Sequence, residues 1–331
     1  MAPHLRFVDT CAPGPYADAN DLAGLGGTEA TQLRIVGGLA PTTTITVEQA
    51  ARTDRVERNG VDFAPADLTA RFGDTINVIH SWKVALALAR RNPAARDCVW
   101  QHVVPGRHNP VPGGDLAGTG IAIPGVSSSL CAMIAAMLDA PVDMHVLHNP
   151  VEDALLPDCA LRHPDLLVFA SARHKGLDQV LMAFSALRAR IPALRLELGD
   201  PGYLVWPLGE LPPGVTRLGC LTHPDGIAKM RQALCLLYPQ QRFAETFGLV
   251  IAEASAAGTP ALLHRGPGAN DEVASGPDQC IDATRPDQIA DRIITWRESR
   301  PQVRMLPEFR LSHVVSRWQR MLHTTRLSAA A

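Results

Sequence analysis

The stretch ALCLLYPQQRFAETFGLVIAEASAAGTPALL, residues 233–263, determines the predicted fold. It opens with an apolar strand, Ala233 to Tyr238, and a second strand is predicted over Thr259 to Leu263. A helix between them is expected to start around Phe247-Gly248 and to end at Gly258, because glycine is favoured just past a helix C-terminus. Two short apolar strands joined by one helix are typical of a βαβ unit in a parallel sheet.

The same alternation of strands and helices continues along the chain and forms two series. In the first series, strands are predicted over Leu5 to Asp9, Thr43 to Val47, Thr75 to Ile79, Asp97 to Val103, Thr119 to Ile123 and Asp143 to Leu147. Its helices are predicted over Gly26 to Leu39, Lys83 to Arg91 and Ser127 to Leu138. In the second series, strands over Leu166 to Ala170, Leu194 to Leu198 and Val215 to Leu218 precede the quoted stretch, with a helix from Gly176. The pattern predicts an α/β protein of two doubly wound, Rossmann-like halves that face a cleft.

The amino-acid composition and the net charge exclude some classes of protein and of binding partner. The chain has 331 residues, of which 46% are hydrophobic and 19% charged, and 31 Lys and Arg against 33 Asp and Glu give a net charge of −2. This balance excludes global disorder and gives no global case for nucleic acid or an anionic membrane as partner. A local basic pocket, peripheral membrane contact and the oligomeric state are left open.

Several features predict a cytoplasmic location without a transmembrane segment. The longest apolar stretch, Leu130 to Leu138, is much shorter than the roughly 20 residues of a bilayer-spanning helix. Prolines and Asp9 occupy the start, where a signal peptide would be apolar. The seven cysteines are scattered without a C-x-x-C pair, which is typical of a reducing compartment.

Two carboxylates frame the helix of the quoted stretch. Glu245 precedes the predicted helix, and Glu253 is expected about two turns inside it. The amides of Thr246, Phe247 and Gly248 would point into the same space, because the first N–H groups of a helix lack intrahelical acceptors. Carboxylates accept hydrogen bonds from sugar hydroxyls, and amides with the helix dipole attract phosphate. An ordinary helix, with Glu245 as its N-terminal charge and Glu253 on its solvated surface, is the alternative that spacing alone leaves open.

The segment E-T-F-G-L-V-x-x-E-A-x-A-x-G-x-P, from Glu245, resembles the donor-site motif of family-four retaining glycosyltransferases, which have the GT-B fold. Three further segments resemble the family in the required order. They are Gly26-Gly27-Thr28-Glu29, Lys175-Gly176-Leu177-Asp178 and the Gly-rich loop Gly266 to Glu272. Together the four segments extend over most of the chain. The resemblance implies transfer of a sugar from a nucleotide-sugar to a hydroxyl acceptor, with retention of the anomeric configuration.

The resemblance also implies roles for residues at the donor site. Glu253 would bind the ribose hydroxyls of the nucleotide, whereas Glu245 and the amides of Phe247 and Gly248 would contact the transferred sugar. Gly27 would lie against the donor diphosphate, although a bare turn before a helix also explains the glycine pair. The complete predicted donor-binding set is Gly26, Gly27, Thr246, Phe247, Gly248, Leu249 and Glu253.

The family places an arginine and, several residues later, a lysine around K-G to neutralise the diphosphate leaving group. In this chain the loop Ser171 to Gly176 is shorter, with one residue between Arg173 and Lys175. Lys175 matches the family position, whereas Arg173 is either the displaced arginine or a loop charge. A solvated loop is the alternative for Lys175.

A histidine completes the predicted catalytic set. His102 follows the strand residues Cys98 to Gln101, where the family carries a histidine that faces the transferred sugar. His80 and His108 compete for this role, and burial in the core is the alternative for His102. The predicted catalytic residues are therefore His102, Glu245, Lys175 and Arg173.

The expected domains follow from these assignments. Residues 1–150 would form an acceptor-side domain, 151–164 a linker, 165–310 the nucleotide-sugar donor domain, and 311–331 a packing helix and tail. No Asp-x-Asp pair follows a strand and no His/Cys/Asp cluster has metal spacing, so neither a metal nor another cofactor is predicted. The sequence does not determine the acceptor, the donor sugar or the base of the nucleotide. A nucleotide-sugar epimerase, a phosphorylase and a non-catalytic sugar- or nucleotide-binding protein are the alternatives.

Overall fold

The structure is a computed structural model that describes residues 4–327, except residues 20, 21, 23, 70–74, 108, 117, 140, 203–208 and 267. The chain divides into two compact units. Unit 1 comprises Met1–Asn20, Thr28–Pro150 and Arg310–Ala331, and unit 2 comprises Asp21–Gly27 and Val151–Phe309. His108, one of the two competitors of His102, lies outside the described residues.

Strands and helices alternate in both units. The strands are β1 (His4–Asp9), β2 (Thr44–Gln49), β3 (Val56–Arg58), β4 (Val61–Pro65), β5 (Thr75–Ile79), β6 (Arg96–Trp100), β7 (Ile123–Gly125), β8 (Met144–Val146), β9 (His163–Ala170), β10 (Arg195–Asp200), β11 (Val215–Cys220), β12 (Ala233–Tyr238), β13 (Ala261–His264) and β14 (Cys280–Ile281). The helices are α1 (Gly27–Leu39), α2 (Trp82–Arg91), α3 (Ser128–Ala135), α4 (Leu177–Arg190), α5 (His223–Gln232), α6 (Leu249–Ala256), α7 (Asn270–Val273), α8 (Pro286–Glu298) and α9 (Leu311–Leu327). Within the described ranges, no helix combines the length and apolar character that a membrane crossing requires.

A six-stranded sheet forms the centre of unit 1, with the strand order β3-β4-β2-β1-β5-β6. Neighbouring strands are parallel except β3 and β4, which form an antiparallel hairpin at the edge. The side chains of β1, β2 and β5 are almost all buried, as expected for a parallel sheet that is covered on both faces. β7 and β8 form a separate parallel pair.

The C-terminal helix α9 packs on the core of unit 1. The Trp318 ring centroid lies 5.8 Å from that of Phe7 on β1 and 4.8 Å from that of Trp100 on β6. Val315 contacts Gly38 of α1 so closely that a Cβ at position 38 would clash. Burial of these rings therefore ties the last described helix to the first half of the chain.

The sheet of unit 2 consists of six parallel strands in the order β11-β10-β9-β12-β13-β14. The chain moves outward from β9 to β11 and then returns to the centre to begin β12. Such a reversal leaves a crevice outside the carboxyl ends of the two central strands, where doubly wound proteins bind ligands. The predicted α/β class with parallel sheets is confirmed.

Several predicted element boundaries are wrong. The strand predicted over Asp97 to Val103 ends at Trp100, and the helix predicted over Ser127 to Leu138 ends at Ala135. The strand expected over Thr119 to Ile123 is instead β7, which begins at Ile123. Gly118 and Gly120 have φ angles of 73° and 71°, which interrupt an extended strand. Residues 152–162 have no helix or strand, but β9 begins at His163, so the end of the predicted linker 151–164 is already in a strand.

Candidate functional site

Two loops meet outside the carboxyl ends of the central strands of unit 2. Residues 171–176 follow β9, and the loop before α6 follows β12. Gly176 caps α4 with a φ of 87°, and a Cβ built on it would lie 2.5 Å from the Cβ of Gln240. Only glycine fits both this left-handed conformation and this close approach. The contact sets Lys175 beside the loop that carries Glu245.

Glu245 is buried and paired at this edge of the sheet. It is 4% exposed, and its Oε2 accepts a hydrogen bond of 2.9 Å from the hydroxyl of Tyr238, the last residue of β12. Its Oε1 lies 3.5 Å from Nζ of Lys175, whose side chain is 32% exposed. A held carboxylate and a partly exposed cation therefore lie side by side.

The Gly-rich loop that the sequence singles out packs directly on the backbone of Glu245. The N–H of Ala269 donates to the C=O of Glu245 over 2.7 Å. Gly268 has a φ of 105°, and a Cβ there would lie 2.6 Å from the Glu245 nitrogen. Any larger residue at position 268 would displace Glu245 from the site.

The start of α6 supplies N–H groups next to this carboxylate. Gly248 caps the helix with a φ of 81°, and a Cβ there would lie 3.1 Å from Cγ of Glu245. The Phe247 ring packs against Phe309 with ring centroids 5.1 Å apart, so its side chain points into the core. The N–H groups of the first turn of an α-helix lack intrahelical acceptors and attract anions.

Glu253 lies about one turn inside α6, and the predicted two turns are wrong because the helix begins at Leu249. Glu253 as a whole residue is 7% exposed, and its Oε1 lies 2.9 Å from Nε2 of His223. An ionised carboxylate only accepts hydrogen bonds, so Nε2 of His223 must carry the proton.

Arg173 and Lys175 differ in their surroundings. Arg173 is exposed, and its C=O accepts a hydrogen bond of 3.1 Å from the N–H of Leu177. Lys175 is the cation that the structure places against Glu245. Partial burial and the charge of Lys175 lower the pKa of His174, whereas Glu245 opposes this shift.

The chain just before the N-terminal glycine segment lies close to the end of β10 in unit 2. A Cβ built on Gly202, two residues after β10, would lie 3.6 Å from the Cα of Gly24. Gly27 begins α1, and a Cβ built there meets no described atom within 4 Å. A phosphate can approach a backbone closely only where no side chain fills the space, and the backbone at Gly27 meets this requirement.

His102 belongs to unit 1, two residues after β6. It is 5% exposed, and neither ring nitrogen has a hydrogen-bond partner within the described part of the chain. Its backbone N–H donates to Nδ1 of His80 over 3.4 Å. Burial, with a smaller contribution from His80, lowers the pKa of His102 well below its ordinary range. His102 is therefore neutral at pH 7 and offers one donor and one acceptor, not a cation.

His80 is held in an unusual conformation beside His102. Its φ is 58°, and its C=O accepts hydrogen bonds from the side-chain amides of Gln101 and Asn109 over 3.0 and 2.7 Å. Burial lowers the pKa of His80 to about 4, although Asp9 opposes the shift. Backbone strain of this kind is found preferentially at functional sites.

The predicted site residues thus divide between the units. The structure brings Lys175, Glu245 and Gly248 together in unit 2. It shows two partners that the sequence analysis missed, Tyr238 and His223. A tyrosine at the end of a buried strand was a usable signal, because a buried phenol needs a hydrogen-bond partner. Among the described residues, no group of three or more His, Cys, Asp or Glu side chains is arranged to hold a metal ion.

Comparisons with known proteins give a family match for part of the chain and the fold of the whole chain. Residues 164–308 match the family described as "Glycosyl transferases group 1". No curated protein sequence matches the chain.

Solved structures that resemble almost the whole chain include the following three. Sucrose-phosphate synthase from Thermosynechococcus elongatus has a TM-score of 0.69 at 14% identity, covering 99% of this chain and 100% of that chain. The structure of Anabaena HepE in complex with UDP and glucose has a TM-score of 0.62 at 14% identity. The match covers 97% of this chain and 100% of that chain. AviGT4, a glycosyltransferase involved in avilamycin A biosynthesis, has a TM-score of 0.59 at 16% identity, and the match covers 99% of each chain. The likeness confirms the predicted GT-B class with two Rossmann-like units.

Proposed function

We propose that the protein, whose residues 164–308 match the family described as "Glycosyl transferases group 1", transfers a sugar from a nucleotide-sugar to a hydroxyl acceptor with retention of the anomeric configuration. The observation that carries this function is the pairing of Glu245 with Lys175 outside the central strands of unit 2. A carboxylate accepts hydrogen bonds from sugar hydroxyls, and a cation beside it attracts phosphate. The complex of HepE with UDP and glucose supports a donor of this kind.

The donor extends along the carboxyl edge of the unit 2 sheet. Glu253 accepts hydrogen bonds from the ribose hydroxyls. The backbone amides of Thr246, Phe247, Gly248 and Leu249 bind the sugar and the phosphate nearest to it. Gly26 and Gly27 give the diphosphate room to approach the backbone, which their lack of a side chain allows.

Catalysis consists of positioning the donor and neutralising its leaving group. Negative charge grows on the diphosphate as the glycosidic bond breaks, so Lys175 stabilises the transition state more than the bound donor. Arg173 adds to the positive potential from the exposed side of the same loop. Glu245 fixes the transferred sugar. His102 stays a predicted catalytic residue, and its neutral imidazole offers a hydrogen bond and no positive charge.

Retention requires attack from the face that the diphosphate leaves. In this mechanism the acceptor oxygen forms its bond to the anomeric carbon on that face while the bond to the phosphate oxygen breaks. The acceptor proton passes to the departing phosphate oxygen. No divalent metal is needed, because Lys175 and the helix amides carry the neutralisation.

The cysteines support a cytoplasmic location, which is a reducing compartment. All seven cysteines are unbridged, as is usual for proteins of reducing compartments. Unit 1 is the part of the chain available to bind the hydroxyl acceptor.

The experiment is turnover of UDP-, GDP- and ADP-sugars with a panel of sugar and alcohol acceptors. Release of nucleoside diphosphate with formation of a glycosylated product of unchanged anomeric configuration, read by mass spectrometry and NMR, supports transfer with retention. A changed donor sugar without transfer indicates an epimerase, and a sugar phosphate formed with added phosphate indicates a phosphorylase. Tight donor binding without any product across the panel indicates a binding protein and contradicts the proposed activity.

A further inference from the structure

His223 begins α5 at the same sheet edge, directly after β11. Its backbone is fixed by the hydroxyl of Thr222, which accepts a hydrogen bond of 3.2 Å from the N–H of Asp225 and caps the helix. Pro224 in the first turn restricts the backbone further. The imidazole is therefore presented from a rigid position.

The imidazole contacts the carboxylate that the proposed function places at the ribose. Nε2 of His223 lies 2.9 Å from Oε1 of Glu253, and the two side chains are 33% and 9% exposed. A side chain of this low exposure has little room to change rotamer, and a hydrogen bond to one oxygen restricts the orientation of its carboxylate.

We propose that His223 is a positioning residue for nucleotide recognition: it holds Glu253 in the orientation that accepts hydrogen bonds from the ribose 2′ and 3′ hydroxyls. This role rests on the proposed function, because it requires a ribonucleotide at Glu253. A vicinal diol donates two hydrogen bonds in a fixed geometry, so a misaligned carboxylate loses both. Preference for ribose over a sugar without these hydroxyls consequently depends on His223.

An ordinary ion pair at the protein surface is the competing explanation. Such pairs contribute little to stability, and on this explanation removing His223 would leave ligand affinity unchanged. Lys229 provides the matched control, because it lies on the same helix and its Nζ pairs with Oε2 of Glu197 over 3.1 Å. Lys229→Ala removes a pair from α5 without touching Glu253.

The experiment is isothermal titration of the wild-type protein, His223→Ala, His223→Gln and Lys229→Ala. Each is titrated with the nucleoside diphosphate that binds the wild type best and with its 2′,3′-dideoxy analogue. We expect His223→Ala to bind the ribonucleotide roughly tenfold more weakly, about 1.4 kcal/mol, with dideoxy affinity unchanged. His223→Gln retains a side-chain N–H donor and should recover part of the loss. Lys229→Ala should bind both ligands like the wild type.

Two results separate this role from the proposed function. If Glu253→Ala loses ribonucleotide affinity while His223→Ala keeps the wild-type preference for ribose, the positioning role is wrong and the donor site stands. If the wild type binds no nucleoside diphosphate, the donor site and the role of His223 both fail. Circular dichroism of each variant confirms that the change in affinity is measured on folded protein.

Discussion

The hydroxyl of Tyr238 donates a 2.9 Å hydrogen bond to Oε2 of Glu245, while Nζ of Lys175 lies 3.5 Å from the other oxygen of the same carboxylate. Tyr238 is completely buried, and its ring stacks on Phe169 with centroids 6.0 Å apart. A rigid strand thus holds one oxygen of Glu245, and a partly exposed loop cation faces the other. The carboxylate is oriented before any ligand arrives.

Removing the tyrosine hydroxyl should lower turnover. We expect Tyr238→Phe to reduce kcat by roughly tenfold to a hundredfold, because a hydrogen bond to a charged group contributes about 1.5 to 3 kcal/mol. Affinity for free nucleoside diphosphate should stay within about twofold, since Glu245 faces the transferred sugar.

Thr259→Val is the control for Tyr238→Phe. The Thr259 hydroxyl is fully buried in the same unit and donates to the C=O of Met230 over 2.7 Å, but it lies outside the proposed site. Both variants lose one buried hydroxyl, so their stabilities should fall similarly. Equal kcat values for the two variants would show that Tyr238 is only structural.

Lys175→Ala should lower kcat by about 10² to 10³, the loss that follows removal of one preorganised group that stabilises transition-state charge. Folding should be unaffected, since a partly exposed ion pair contributes little to stability. Lys229→Ala is the control, because Lys229 has the same 32% side-chain exposure and also pairs with a carboxylate. Arg173→Ala should lose less than Lys175→Ala because Arg173 is exposed. Wild-type turnover in Lys175→Ala would contradict the proposal that Lys175 stabilises the leaving group.

Turnover should survive a chelator. Lys175, the amides at the start of α6 and Arg173 neutralise the diphosphate in the proposed mechanism, so EDTA should leave the initial rate within about twofold. Initial rates of nucleoside diphosphate release are measured with EDTA and after addition of excess Mg²⁺ or Mn²⁺. Complete loss in EDTA that either metal restores would overturn the metal-independent mechanism.

The stability of unit 1 should depend on the ionisation of Asp97. Burial raises the pKa of Asp97 to about 7 from an ordinary value of 3.8. The folded state therefore binds more protons than the unfolded state between these values, and the contribution of Asp97 to the free energy of unfolding falls as pH rises from about 4 to 7. Asp97→Asn cannot ionise, so its advantage over the wild type should grow across this range, by up to about 1.4 kcal/mol per pH unit. Urea unfolding at several pH values measures the difference in free energy of unfolding between Asp97→Asn and the wild type. A difference that does not change with pH would contradict the raised pKa of Asp97.

The local sequence pattern predicted most of unit 2. The strand Ala233 to Tyr238 is found as predicted, because a continuous apolar run between loop signals is typical of a buried parallel strand. The glycines of the predicted motifs have positive φ angles and close contacts at Gly176, Gly248 and Gly268. These requirements are local, so they are visible in sequence.

The rest depended on signals that were overlooked or on tertiary contacts. The hairpin of β3 and β4 turns at Asn59 and Gly60, with φ angles of 53° and 77°, and Asn-Gly is a strong hairpin signal. The partnership of His223 with Glu253 joins residues 30 positions apart on two helices. No local pattern specifies such a contact, since the packing of α5 against α6 creates it.

The central claim is that unit 2 binds a nucleotide-sugar through Glu253 and Glu245 in different roles. Isothermal titration of UDP, GDP and ADP into the wild type, Glu253→Ala and Glu245→Ala tests it most directly. We predict that at least one nucleoside diphosphate binds the wild type, that Glu253→Ala weakens it by about 1.5 to 3 kcal/mol, and that Glu245→Ala leaves its affinity nearly unchanged. Absence of binding to the wild type, or equal weakening by both substitutions, would contradict the account.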